Sequence, residues 1–159
     1  MKIKTKLEDS VITILVTGGI ATIVQMIISW TLFLTDIIQQ NPSLFHTRLL
    51  TGRMEVSTFE LAIGTVGTFV AGVAFSTLIL LTLKITGSDH PVIKGGGVGI
   101  VNTMFQFYIL ARLFPEPRMI IPDALTIAQV YLVYMIWGII TAVLIRNYAD
   151  IENLLWHQE

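Results

Sequence analysis

The chain has 159 residues, of which 53% are hydrophobic and only 13% charged, with a net charge of −1 and no cysteine. A soluble domain carries roughly 25% charged residues, so this composition leaves almost no polar surface with which to cover a water-soluble four-helix core. The near-zero charge gives nucleic acid nothing to hold, and the missing cysteines exclude disulfides, thiolate metal sites and thiol chemistry.

The charges are segregated. No Asp, Glu, Lys or Arg occurs from Ser10 to Thr35, Leu61 to Leu83, Gly95 to Ala111 or Ala124 to Ile145, windows of 26, 23, 17 and 22 residues. A hydrocarbon core of roughly 30 Å needs about 20 apolar helical residues. Three windows meet that length, and the third reaches it if Lys94 and Arg112 extend outward along their own methylenes. The expected fold is therefore an all-α, integral membrane four-helix bundle in a single domain, with spans at about 11–34, 60–83, 94–114 and 124–146.

Lys2, Lys4 and Lys6 precede the first span. Its apolar run exceeds the roughly 7–15 residues of a signal-peptide core, and "TDIIQQNPS" offers no small-residue cleavage site, so it reads as a retained anchor. With the N-terminus inside, the inner segments hold Lys2, Lys4, Lys6, Lys84, Lys94 and Arg146, and the outer ones Arg48, Arg53, Arg112 and Arg118. This predicts both termini in the cytoplasm.

The long outer connector contains "NPSLFHTRLLTG". Asn41 can cap a short helix, Pro42 open it and Gly52 close it. Placed at the membrane interface, it would turn Leu44, Phe45 and Leu49 to lipid and His46 and Arg48 to water. An irregular loop packed on the bundle top is the alternative. Next, "STFE" predicts a capping box, with Ser57 as cap and Glu60 three residues on. The second span carries a small-residue ridge of Gly64, Thr68 and Gly72, with Gly67 and Ala71 beside it.

The connector from Lys84 to Lys94 is short and makes spans two and three an antiparallel hairpin. In "SDHP", Ser88 or Asp89 is the expected cap and Pro91 a first-turn residue. "KGGGVGI" follows. It is no phosphate loop, since Lys94 precedes the glycines and no Lys-Ser or Lys-Thr follows. It is no dinucleotide fingerprint either, since Asn102 stands where the third glycine should be and no strand precedes it. Gly95, Gly99, Asn102 and Gln106 instead share one helix face. Gly95 and Gly99 form a GxxxG pair that lets backbones approach closely in lipid. The expectation is a seam of Gly95 and Gly99 against Gly64, Thr68 and Gly72. A second reading gives Lys94, Gly95, Gly96 and Gly97 to an anion or lipid headgroup at the helix start.

The second outer connector, "FPEPRMIIPD", has three prolines, which make it stiff. Asp123 is the expected cap of the fourth span. That span carries a stripe of Tyr131, Tyr134 and Trp137 leading to Gly138 and Ala142, which reads as packing. The tail "YADIENLLWHQE" reads as a cytoplasmic continuation.

Four amides lie within the spans, namely Gln25, Asn102, Gln106 and Gln129. Facing lipid would leave their donors unsatisfied, so they should point inward and bond across helices. No charged residue sits mid-span, which argues against a carrier built on a buried charge. His46, His90 and His157 are isolated, with no ligand-type partner at helical spacing, and no G-x-S-x-G occurs. No metal, cofactor or enzymatic activity is expected.

"HPVIKGGGVGI" in the third span and "VYLVYMIWGIITAVLI" in the fourth resemble YqhR-type small membrane proteins of spore-forming Gram-positive bacteria. The resemblance covers the C-terminal half. It implies a four-span protein of a bacterial cell membrane and no assigned activity. The leading expectation is a non-catalytic partner-binding or scaffolding subunit, in contact with the lipid bilayer and with another membrane protein or further copies of itself. The alternative is a small oligomeric channel or transporter with an amide-lined path.

Overall fold

The computed structural model describes residues 9–38, 40–53, 55–110 and 124–149. Every regular element among them is a helix, without a strand. We number the helices α1 (Ser10–Leu34), α2 (Pro42–Thr51), α3 (Thr58–Thr86), α4 (Pro91–Met104, continued by a π-helical stretch Phe105–Leu110) and α5 (Ala124–Tyr148). Three of them, α1, α3 and α5, are long and apolar enough to cross a membrane, at 25, 29 and 25 residues. α4 is not among these three, because Pro91, Lys94, the glycines and two amides dilute a shorter run.

Local chemistry sets the helix ends. Asp9 caps α1 by accepting from the Val11 and Ile12 amides at 2.7 and 3.0 Å. Asn41 caps α2 by accepting from the Ser43 amide at 2.8 Å, Pro42 opens the helix and Gly52 closes it in the left-handed region at φ 66°. At α3 the Ser57 hydroxyl accepts from the Glu60 amide, while the Glu60 carboxylate accepts from the Ser57 amide at 2.9 Å, as the capping-box motif requires. Before α4 the expected cap is replaced. His90 holds the N-cap position at φ 50° without a side-chain bond, and Asp89 turns to Lys94 instead. Asp123, the proline-rich connector and the tail beyond Ala149 lie outside the described residues.

α1 is amphipathic in the sense opposite to a helix of a soluble bundle, whereas α3 and α5 also bury large apolar side chains such as Ile79, Leu80 and Trp137. On α1, Val11, Leu15, Ile20, Ile23 and Ile27 are exposed, whereas Thr13, Thr17, Ala21, Thr22, Gln25 and Ser29 are buried. The buried set recurs at about every fourth residue, one face of a helix. Large apolar side chains outside and small or polar ones inside are what lipid as solvent selects, because lipid provides no hydrophobic drive to bury leucine. Two of the buried threonines satisfy themselves locally, Thr17 on the Thr13 carbonyl at 2.6 Å and Thr22 on the Gly18 carbonyl at 2.7 Å.

Glycines decide which helices touch. α4 packs most extensively on α5. A Cβ on Gly95 would run into the Gly138 carbonyl and the Ala142 methyl, and one on Gly99 into the Tyr134 carbonyl. The ridge of α3 faces elsewhere. Gly64 is filled by Ser43 and Thr47 of α2, and Gly72 by Thr22 of α1, while Gly18 of α1 receives Ser76 of α3. The expected seam between the two ridges is thus two separate seams, α4 on α5 and α3 on α1 and α2. α3 meets α4 through the rings of Phe75 and Phe105, 5.6 Å apart, which hold the two glycine ridges off each other.

α2 also departs from expectation. Phe45, His46 and Thr47 are buried rather than turned to lipid or water. With no side chain at Gly64, α2 reaches the α3 backbone, and the Thr47 hydroxyl lies 3.3 Å from the Glu60 carbonyl. The Phe45 ring stacks 4.6 Å from Phe107 of α4. The short helix therefore closes the bundle end between α3 and α4.

Candidate intramembrane polar site

Three of the four amides come together. Asn102 and Gln106 sit one turn apart on α4, and the Gln106 Nε2 donates to the Asn102 Oδ1 at 2.8 Å. The Tyr134 hydroxyl of α5 donates to the Gln106 Oε1 at 2.8 Å. Gln25 of α1 lies against the same hydroxyl. All are sealed from solvent, with relative exposures of 2% for Gln25, 1% for Asn102, 2% for Gln106 and 3% for Tyr134. The Asn102 Nδ2 of this cluster has no hydrogen-bond partner, and neither does the Ser29 hydroxyl one turn from Gln25. An unpaired buried donor costs roughly 1–3 kcal/mol; Thr13 Oγ1 on α1 and Gln40 Oε1, Asn41 Nδ2, Ser43 Oγ and Arg48 Nε around α2 are likewise without a partner.

The fourth amide is elsewhere. Gln129 is half-buried and donates to the Ile37 carbonyl at 2.6 Å, tying α5 to the segment after α1. A path lined by all four amides is therefore corrected to a cluster of three.

Tyr134 is the member that sequence reasoning missed as a polar group. It belongs to the expected aromatic stripe, and Tyr134 and Trp137 do pack in the buried core. Yet each has a polar atom that must find a partner when buried. The Trp137 Nε1 donates to the Thr22 hydroxyl at 3.2 Å, while the Tyr134 hydroxyl organises the amides.

The glycine-rich start of α4 is not an open anion cradle. Lys94 Nζ donates to the Thr86 and Gly87 carbonyls, both at 2.9 Å, and to the Asp89 carboxylate at 2.7 Å. An ammonium has three protons, and all are taken in closing the end of α3. Gly95 and Gly96 face α5, and only Gly97 has nothing near it. The Lys94 hydrogen bond holds the Asp89 carboxyl below its usual range.

His46 sits between α2 and α3, with Nδ1 2.9 Å from the Pro42 carbonyl and 3.0 Å from the Thr68 hydroxyl. The carbonyl can only accept, so Nδ1 carries the proton. Burial pulls the His46 pKa below its ordinary value. His90 is exposed beside Asp89, and His157 lies outside the described residues. Among the described residues no three His, Cys, Asp or Glu side chains gather as a metal site would need. No family model, curated protein or solved structure matches this chain.

Proposed function

We propose that the chain is a non-catalytic, four-span protein of a bacterial cell membrane, with both termini cytoplasmic, and that it admits a small polar solute to the amide cluster within its own bundle. The observation that carries this reading is the convergence of Gln25, Asn102, Gln106 and Tyr134 in one buried polar cluster in which Asn102 Nδ2 has no partner. The cluster brings side chains of three helices to one point inside the spans, with the Asn102 nitrogen still open to a further bond. Because Gln25, Asn102 and Gln106 converge within one chain, the path needs no oligomer axis, unlike the assembled channel that the sequence suggests. The scaffolding reading has no comparable feature behind it.

Supporting the four-span layout, Lys84 at the end of α3 donates to the Ser10 hydroxyl at the start of α1, 3.1 Å away, whereas Gln129 near the start of α5 meets Ile37 beyond the end of α1. α1 and α3 thus run antiparallel, and so do α1 and α5. The lysine-rich start favours the cytoplasm for the Ser10 end. Single cysteines at Ser88 and Thr51, in a chain that has none, should then label from opposite sides, with Thr51 reachable by an impermeant reagent on intact cells. Both labelling from outside contradicts the orientation. For the function itself, purified protein in liposomes should raise permeability to small polar solutes, and Asn102→Leu should abolish the increase. Parent protein that leaves every tested solute excluded, and co-purifies in fixed ratio with another protein, overturns the reading in favour of a scaffold.

A further inference from the structure

We propose that α2 is a proton-released latch: protonation of His46 lifts this helix from α3 while α1, α3, α4 and α5 stay assembled. α2 would act so whether or not a solute reaches the amides. Its packing is one-sided. It rests on α3, touches α1 only slightly and meets α4 through Phe45 on Phe107. Side-chain hydrogen bonds to α3 come from Thr47 and His46. The Thr47 hydroxyl has a single proton and lies nearer its own Ser43 carbonyl, at 2.8 Å, than the Glu60 carbonyl, at 3.3 Å. The closer tie is His46 Nδ1 to the Thr68 hydroxyl oxygen, at 3.0 Å. Thr68 gives its own proton to the Gly64 carbonyl at 2.9 Å, so toward the ring it accepts.

The neutral ring suits this place. Its Nδ1–H is shared between Thr68 and the Pro42 carbonyl, and Nε2 has no hydrogen-bond partner among the described residues. A second proton goes to Nε2 and charges a ring in a residue only 7% exposed. Nothing around it answers that charge. The ring meets Thr68 and Gly67 on α3, and the Pro42 carbonyl and Phe45 on its own helix. Arg48 stands two residues on and so on another face. Glu60, two turns before Thr68, gives its carboxylate to Ser57 and Arg53. Asp36 and Glu55 are exposed in the connectors. α1 carries no charge, and Lys84, Lys94 and Arg146 sit at the Ser10 end of the bundle. A buried charge without a partner is expelled rather than kept, and burial already holds the His46 pKa low.

The docked helix is also poised to yield. Gln40 Oε1, Asn41 Nδ2, Ser43 Oγ and Arg48 Nε are buried around it without partners, and each regains a hydrogen bond on meeting water. Gly52, at φ 66° with nothing near it, supplies a hinge at the helix end. The ring of a released α2 has the ordinary pKa of 6.5, so the ratio of released to docked helix should rise by up to about tenfold per pH unit below 6.5 and level off below the docked value.

The test uses full-length protein in nanodiscs, with spin labels on introduced cysteines. Leu50→Cys with Leu132→Cys, both at exposed positions, reports α2 against α5, and Val66→Cys with Leu132→Cys reports α3 against α5. Between about pH 7.5 and 4.5, a range that spans histidine titration, the first pair should pass from a narrow distance distribution to a longer, broader one. The second pair should stay constant. His46→Gln keeps a donor for Thr68 and cannot titrate, so it should hold the short distance throughout. Since that variant can undock of itself, the ring is also followed directly. In a His90→Gln, His157→Gln protein His46 is the one histidine left, and its imidazole nitrogen shifts should titrate with the same midpoint as the distance. A first pair unmoved by acid overturns the latch, and so does movement of both pairs together, which is unfolding of the bundle. A ring that titrates apart from the distance change, or an acid response that persists in a docked His46→Gln protein, overturns the assignment to His46.

Discussion

The carbonyl oxygen of Gly138 occupies the space that a side chain on Gly95 would need, and the Gly95 carbonyl does the same to Gly138. The two helices are in backbone contact at this point, and no residue with a Cβ fits there without moving one of them. Gly95→Leu, Gly99→Leu or Gly138→Leu should each destabilise the fold by about 1–3 kcal/mol, the usual range for overpacking. Gly97→Ala meets nothing within 4 Å and should be neutral or stabilising by up to about 1 kcal/mol, since alanine is the better helix former. Thermal unfolding in detergent checks both. Equal stability of the Gly95→Leu and Gly97→Ala proteins would remove the seam.

Lys94 closes the end of α3 rather than greeting a headgroup. Lys94→Met frees the Thr86 and Gly87 carbonyls and should lower the Tm by about 2–4 °C, corresponding to about 1 kcal/mol for a chain of this size. It should leave binding to anionic-lipid nanodiscs unchanged. The Asp89 carboxyl, held low by the same ammonium, favours the folded state above its ordinary pKa of 3.8 and loses that effect as pH falls through its depressed value. In strong acid the parent should therefore lose only the Asp89 share of its advantage over Lys94→Met, the two carbonyl bonds remaining. A Lys94→Met protein as stable as the parent at neutral pH contradicts the capping role.

His46 gives a second, separate pH dependence. Its folded pKa lies below 6.5 because burial disfavours the imidazolium. The unfolded chain therefore binds the proton first. Stability is complete above pH 6.5, declines as pH falls through the window between 6.5 and the folded value, and levels off below it. The groups around the ring are Thr68 and Gly67 on α3 and the Pro42 carbonyl and Phe45 on α2, none of them a carboxylate. His46→Gln should flatten the decline between pH 6.5 and 5 in a Tm series. An identical pH profile in both proteins contradicts the buried placement.

What the sequence could and could not disclose divides along local and long-range chemistry. Three of the charge-free windows, the Asn41–Gly52 helix and the Ser57–Glu60 box are properties of consecutive residues, and each forms where expected. A GxxxG pair states that a face is flat, not what lies on it. Gly95 took Gly138 and Ala142, and Gly99 took the Tyr134 backbone one turn earlier; these partners were visible as the aromatic stripe and its end. Gly64 took α2, an element outside the expected bundle altogether. The inward turn of Gln25, Asn102 and Gln106 follows from solvation and was legible. Their meeting at Tyr134 depends on the rotation of α5, which the length of a span does not encode. The π-helical stretches at Ile14–Gly18 and Phe105–Leu110 left no signal that we can identify in the residues themselves.

The central claim is that water-borne solutes reach the interior face of α1, and cysteine accessibility tests it most directly. Ser29 is 1% exposed and Ile27, on the outer face of the same helix, is 62% exposed. A static bundle in lipid keeps both away from water, Ser29 by packing and Ile27 by hydrocarbon. With the protein in liposomes, Ser29→Cys should react with a small charged methanethiosulfonate, faster than Ile27→Cys, because only the interior face is visited by water. A Ser29→Cys thiol that stays unmodified while the Thr51→Cys thiol on the same vesicles reacts to completion contradicts the account.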